Sequence, residues 1–213
     1  MTSHHPNDDL LLSYAGGSLG ESWGLVVATH LGLCQICLEM VGIAEDVGGV
    51  LLDDISPENL SNNLLDRITA RFDDPISIEE RVPVPSDPIL PQPLREYIGG
   101  GLETIPWRGI GMGIYQHRIF TNDSGQARLL KIPAGRPVPE HGHNGRELTL
   151  VLAGSFNDKV GEFVRGDVED VDQEIVHRPV ATSVEECICL AVTESPLKFK
   201  SLLPKLAQHF IRI

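Results

Sequence analysis

The chain has 213 residues, 41% of them hydrophobic, and a formal net charge of −13, which is enough to bury one large core or two small ones. No apolar run approaches the roughly 20 residues of a bilayer-crossing helix, and the opening MTSHHPNDDL lacks the basic start and apolar middle of a secretory signal. A cytoplasmic protein with no membrane partner is expected, in which Cys34, Cys37, Cys187 and Cys189 serve as ligands, redox groups or core residues rather than disulfides.

The charge is uneven. Residues 1–85 hold 14 acidic residues against 3 arginines, −11 of the total, whereas the remainder holds 16 acidic against 14 basic, −2. So acidic a segment repels phosphate backbones and excludes direct nucleic-acid binding there, but it attracts a basic protein partner.

In chain order, the runs 10–15, 21–31 and 34–52 have helical patterns, with Gly16-Gly17, Gly32 and Gly48-Gly49 as breaks. Ser56-Pro57-Glu58 supplies an N-cap, a first-turn proline and a favourable acid. Leu60, Leu64, Leu65, Ile68 and Phe72 then recur at helical spacing, so a helix is expected to run to about Phe72. Between Asp73 and Gly101 stand six of the fifteen prolines, the composition of a stiff, extended linker. Beyond it, short β-branched and apolar runs such as ARLLKI, ELTLVLAGSF and CICLAV alternate with Gly and Asp turns, the signature of a sandwich or barrel. The division is therefore a helical domain at 1–74, a linker at 75–100 and a β domain at 101–213.

Two clusters carry chemistry. His30, Cys34 and Cys37 form His-x3-Cys-x2-Cys; on one helix these positions would share a face. A closed tetrahedral zinc site needs a fourth ligand. His5, His4 and Glu39 are candidates, and His5 is favoured because a ligand from the tail would tie the first helix to the next two. A Cys-x2-Cys redox pair and two plain core cysteines are the other readings. The segment lacks the βαβ context of such a redox pair, and a small helical domain has its own need for metal. In the second cluster, G-x5-H-x-H-x3-E-x6-G from Gly135 to Gly154 places His141, His143 and Glu147 on one strand face, and His177 on a later strand can complete three histidines and a carboxylate. That set suits Zn, Mn, Fe, Ni or Cu. Cys187 and Cys189 share one strand face, as core residues or as oxidisable thiols.

The pattern His5-x24-His30-x3-Cys34-x2-Cys37 resembles the zinc-binding anti-sigma domain, and the Gly135–Gly154 motif resembles the first cupin motif. The second cupin motif is partial: Gly161 or Gly166-Asp167 and His177 fit, without the usual Pro-x-Gly before the histidine or the Asn after it. Together, over nearly the whole chain, these features resemble the ChrR-type anti-sigma factors. The resemblance implies a small zinc-binding helical bundle followed by a cupin barrel, a double-stranded β-helix. It implies that the helical domain grips an extracytoplasmic-function sigma factor and that the cupin releases it on exposure to singlet oxygen or organic hydroperoxides. By the same resemblance His5, His30, Cys34 and Cys37 hold a structural zinc, and His141, His143, Glu147 and His177 hold a divalent metal, usually zinc, with Mn, Fe or Ni as alternatives. Zinc is redox-inert, so the oxidant must act on a side chain. The expected device is a two-state clamp in which the 60–72 helix is one sigma contact and oxidation changes how the barrel sits across the linker. A homodimer through the barrel is compatible with this. A metal-dependent dioxygenase or isomerase with an accessory zinc domain is the competing reading, and ligand sensing without chemistry is a third.

Overall fold

The computed structural model of the protein describes residues 2–72, 86–123 and 125–199. Three helices open the chain: α1 (Asp8–Ala15), α2 (Glu21–Leu31) and α3 (Gln35–Asp53). Asp8 and Asp9 sit in the first turn of α1, where the helix dipole favours acids, and Gly17 leaves it at φ +65°. At Gly32, α2 stops; the N–H groups of Leu33 and Cys34 both return to the carbonyl of His30, and Cys34, in extended conformation, is the N-cap of α3. The expected single helical face for His30, Cys34 and Cys37 is therefore replaced by an elbow between two helices. Gly48 and Gly49, expected as a break, lie inside α3.

The helix expected up to Phe72 is shorter. Only α4 (Leu64–Thr69) forms, with no buried residue and no capping side chain, and Ser56-Pro57-Glu58 starts nothing. Six residues without a packed face make a marginal helix, which explains why the apolar spacing does not extend it. Of the expected linker, residues 73–85 lie outside the described residues. The rest is not extended: α5 (Gln92–Ile98) begins at Pro91 and Pro93, tolerated because the first turn has no intrahelical donors to lose, and ends on Gly99 at φ +75°. Leu90 and Leu94 on this segment are buried.

Twelve strands follow among the described residues: β1 (Arg108–Gly111), β2 (Ile114–Ile119), β3 (Gln126–Ile132), β4 (His141–Gly142), β5 (Glu147–Ala153), β6 (Ser155–Asp158), β7 (Gly161–Val164), β8 (Val168–Val171), β9 (Val176–His177), β10 (Val180–Ala181), β11 (Cys187–Thr193) and β12 (Lys198–Phe199). All described pairings are antiparallel, in one sheet ordered β1-β2-β3-β11-β5-β8 and two small ones, β10-β6-β7 and β12-β4-β9.

The central strands of the large sheet are covered on both faces, which is why ELTLVLA and CICLAVT read as nearly continuous apolar runs. Leu148, Leu150, Leu152, Ile188, Leu190 and Val192 join the core formed with Leu25, Val26 and Val27 of α2, whereas Val151, Cys187 and Cys189 face the barrel interior with Phe156 and Phe163. Helices and barrel thus share one core. Polar contacts reinforce it: Asp123, from the β2–β3 turn, accepts from the backbone N–H (3.1 Å) and hydroxyl (2.7 Å) of Ser22 at the start of α2.

Candidate metal centres

The first cluster is assembled from three directions. His30 ends α2, Cys34 and Cys37 begin α3, and His5 arrives from the N-terminal tail with its Nδ1 3.4 Å from Cys34 Sγ and 3.3 Å from Cys37 Sγ. One ligand atom from each of the four residues lies within 4.8 Å of the others. His4 is elsewhere: its ring packs on Phe163, and its Nδ1 is 3.5 Å from Asp167.

His30 is held from the barrel side. It is fully buried, its Nδ1 lies 2.9 Å from the Gly166 carbonyl, and its Nε2 has no partner. With Nδ1–H donating to that carbonyl, the Nε2 lone pair is presented to the cluster, as a carbonyl behind the ring does for metal-bound histidines. Burial lowers the His30 pKa to about 4, so the ring is neutral at physiological pH. Burial and the adjacent Cys34 push the Cys37 thiol up to about 12, and a cation between the sulfurs would reverse that pressure. Two sulfurs and two nitrogens, one of them orphaned, fit a tetrahedral Zn²⁺.

In the barrel, His141 and Gly142 on β4 pair with His177 and Val176 on β9, while Glu147 begins β5. The Nε2 atoms of His143 and His141 lie 3.0 and 3.1 Å from His177 Nε2, and all four candidate residues are buried. His141 Nδ1 donates to the Pro139 carbonyl at 2.8 Å and His177 Nδ1 to Asp158 at 2.8 Å, which leaves both Nε2 lone pairs aimed at one point. Three converging lone pairs repel one another unless a cation or a shared proton sits between them, so the donor set fits a divalent metal. Burial opposes ionisation of Glu147, but the nearby His143, 3.2 Å away, and the fields of His141 and His177 outweigh it and hold its pKa at about 2. Glu169, buried next to His177 and Asp158, is pushed upward chiefly by burial and keeps its proton more readily.

The two clusters are linked by the β7–β8 turn. Gly166 holds His30 of the first. Asp167 accepts from the N–H groups of Ser3 (2.7 Å) and His4 (3.1 Å), next to His5. Two residues on, Glu169 lies 3.8 Å from His177 of the second.

Residues 98–197 match the family described as the ChrR cupin-like domain. Across 213 residues, 99% of this chain and 98% of the relative, the sequence is 47% identical to Anti-sigma-E factor ChrR of Cereibacter sphaeroides. The chain belongs to the ChrR-type anti-sigma factors. A chain in the crystal structure of Rhodobacter sphaeroides SigE in complex with the anti-sigma ChrR matches it with a TM-score of 0.80 and 44% identity, over 91% of this chain and 99% of that one. The architecture expected from the resemblance, helices followed by a cupin barrel, is the one observed for this ChrR-type chain.

Motif spacing missed Asp158, Glu169 and the Gly166 carbonyl, because groups that hold the histidine rings from behind carry no pattern of their own. It also missed the surface of α3. Ile36, Met40, Ile43, Val47, Val50 and Leu51 recur at helical spacing and are 40–65% exposed, and Leu60, Leu65 and Phe72 nearby in sequence are 70–72% exposed. Among the described residues nothing covers this apolar surface, and none of the helices is long and apolar enough to cross a membrane.

Proposed function

We propose that this chain binds an extracytoplasmic-function sigma factor through the exposed apolar faces of α3 and α4, keeps it from RNA polymerase in the cytoplasm, and releases it when the cupin meets singlet oxygen or an organic hydroperoxide. The observation that carries the proposal is the uncovered stripe from Ile36 to Leu51 on a chain of this family: an apolar surface of that extent on a charged protein marks a protein interface. Its surroundings, including Glu39, Glu45, Asp46, Asp53 and Asp54, complement the basic surfaces with which sigma domains meet DNA.

His5, His30, Cys34 and Cys37 would hold Zn²⁺ as a structural staple, joining the N-terminal tail to the α2–α3 elbow and so setting the direction in which α3 projects. His141, His143, Glu147 and His177 would hold the second metal, Zn²⁺ by the family's habit, which there supplies charge and fixes the ligands without electron transfer. Oxidation then falls on side chains at the cavity, with the ring of His141 and the thiol of Cys189 as the candidates that line it. The neighbouring Cys187 and burial push the Cys189 thiol well above its ordinary pKa, so it waits as a protonated thiol. A displaced His177 or Glu169 would pull on Asp167 and Gly166, and through them on His5 and His30. This route replaces the linker with direct contact as the means by which the barrel informs the clamp.

The test is co-expression of the full chain with the extracytoplasmic-function sigma factors of its host, followed by size exclusion and a polymerase run-off assay. An equimolar complex that silences transcription, and regains it with hydroperoxide or illuminated photosensitiser, is expected. Failure to bind any such sigma factor would refute the partner; an oxidant-insensitive complex would refute the sensing role alone.

A further inference from the structure

The barrel interior next to the second cluster holds a charge that feels the field of Glu147 but has no ion-pair contact among the described residues. On β3, Ala127 and Leu129 face the helices, so alternation turns Arg128 inward. Arg128 is 3% exposed. Its Nη2 donates to Gln126 Oε1 at 3.0 Å and, at 3.4 Å, to Thr193 Oγ1; its Nη1 is buried with no partner, and it makes no ion pair among the described residues. Buried guanidinium groups are normally paired, because desolvating the charge without compensation is costly.

The nearby carboxylates are otherwise engaged. Glu147 faces His143 and accepts from the Thr149 hydroxyl at 3.0 Å, and Glu169 faces His177 and Asp158. A divalent cation on the histidines would draw on Glu147 and, through His177, on Asp158, which leaves Arg128 no carboxylate of its own. Arg128 and Thr193 line a cavity of about 50 Å³ that also touches His141, Glu147, Glu169 and Cys189 and is walled mostly by apolar side chains such as Leu130, Ile132 and Phe156. Arg128 borders this space, and its Nη1 has two N–H donors unspent. Thr193, whose oxygen accepts from Arg128, keeps its own O–H to donate. Two donors at the end of a small apolar chamber match a planar group with two acceptor oxygens and a short aliphatic tail. A phosphate dianion is larger and would bring two charges against Glu147.

We propose that Arg128 and Thr193 form a binding site, inside the barrel, for the carboxylate of a small organic acid. The site goes beyond sigma binding and does not depend on it.

The test uses metal-replete full-length protein, with propionate as probe, its amide and inorganic phosphate as comparisons, at constant ionic strength. Propionate should raise the melting temperature in a saturable way, as a ligand of the folded state must, and propionamide and phosphate should not. In Arg128→Met the propionate response should fall by about tenfold or more in affinity, while the ligand-free variant should melt no lower than the parent, since an unpaired buried charge has been removed. Intermolecular NOEs from the propionate methylene to the methyls of Leu130 and Thr193 in unaltered protein give a readout that needs no variant. An unresponsive parent protein, an equal response to the amide or to phosphate, or an undiminished response in Arg128→Met, which would place the acid on the metal alone, each overturns the proposal.

Discussion

Truncating the stripe on α3 separates an interface from a core. Ile43 is 64% exposed and Val47, one turn on, is 56% exposed. Fully burying such side chains is worth about 1.5–3 kcal/mol each, so covering the part that still faces water gives about 1–2 kcal/mol, most of which an alanine forgoes. The double variant Ile43→Ala/Val47→Ala should therefore lose about 2 kcal/mol of sigma binding, about 30-fold in Kd. Because neither side chain is packed in the free chain, its stability should change by no more than about 0.5 kcal/mol, or about 2 °C in melting temperature. The affinity is read by titrating fluorescently labelled sigma factor, the stability by thermal unfolding of the free chain. Leu12→Ala, at a 61% exposed position on α1, serves as the control with unchanged binding. Binding within twofold of the parent would refute the assignment of the stripe. A fall in melting temperature of more than about 5 °C would show instead that these residues pack within the free chain.

Asp123→Ala, which removes the barrel-borne cap of α2, should cost about 1–2 kcal/mol in urea unfolding at neutral pH. Although burial opposes it, bonding to Ser22 holds the Asp123 carboxyl below its ordinary value, so this contribution is complete above the unfolded value near about 4. It is lost as pH falls through the folded value, and the gap between parent and variant should close in acid. Cys34→Ala should lower bound zinc by one ion per chain and abolish the sigma complex, whereas His177→Ala should lower metal content by one while leaving that complex intact; elemental analysis of each purified variant chain and size exclusion of its mixture with the sigma factor check both. Asp167→Ala, which frees Ser3 and His4 next to His5, should weaken metal retention at the first cluster by about tenfold in chelator competition while leaving Cys34 and Cys37 in place.

Much of the site was legible because its signals are local. His30, Cys34 and Cys37 fall within eight residues, and His141, His143 and Glu147 within seven, so short-range spacing alone proposes them. His5 could be preferred to His4 only through the logic of tying the tail to the helices and the family resemblance; the separation of the two rings onto different partners depends on Asp167 and Phe163, more than 150 residues away. The linker shows the opposite case. Proline density argues for extension, yet Leu90 and Leu94 find a place in the core, and the prolines at 91 and 93 then merely open α5. Burial of those leucines outweighs a local preference that proline, at a helix start, does not contradict.

By itself the sequence determined the order of helices and strands, the two clusters of candidate ligands and the acidic bias of the first third, since each depends on residue type and short spacing. Only the tertiary structure decided that helices and barrel share one core, that Gly166 and Asp167 join the two clusters, that α3 leaves an apolar face uncovered, and that Arg128 turns inward without a counter-charge. Those are relations between residues far apart in the chain, and packing of both faces of one sheet, rather than any local preference, brings them together.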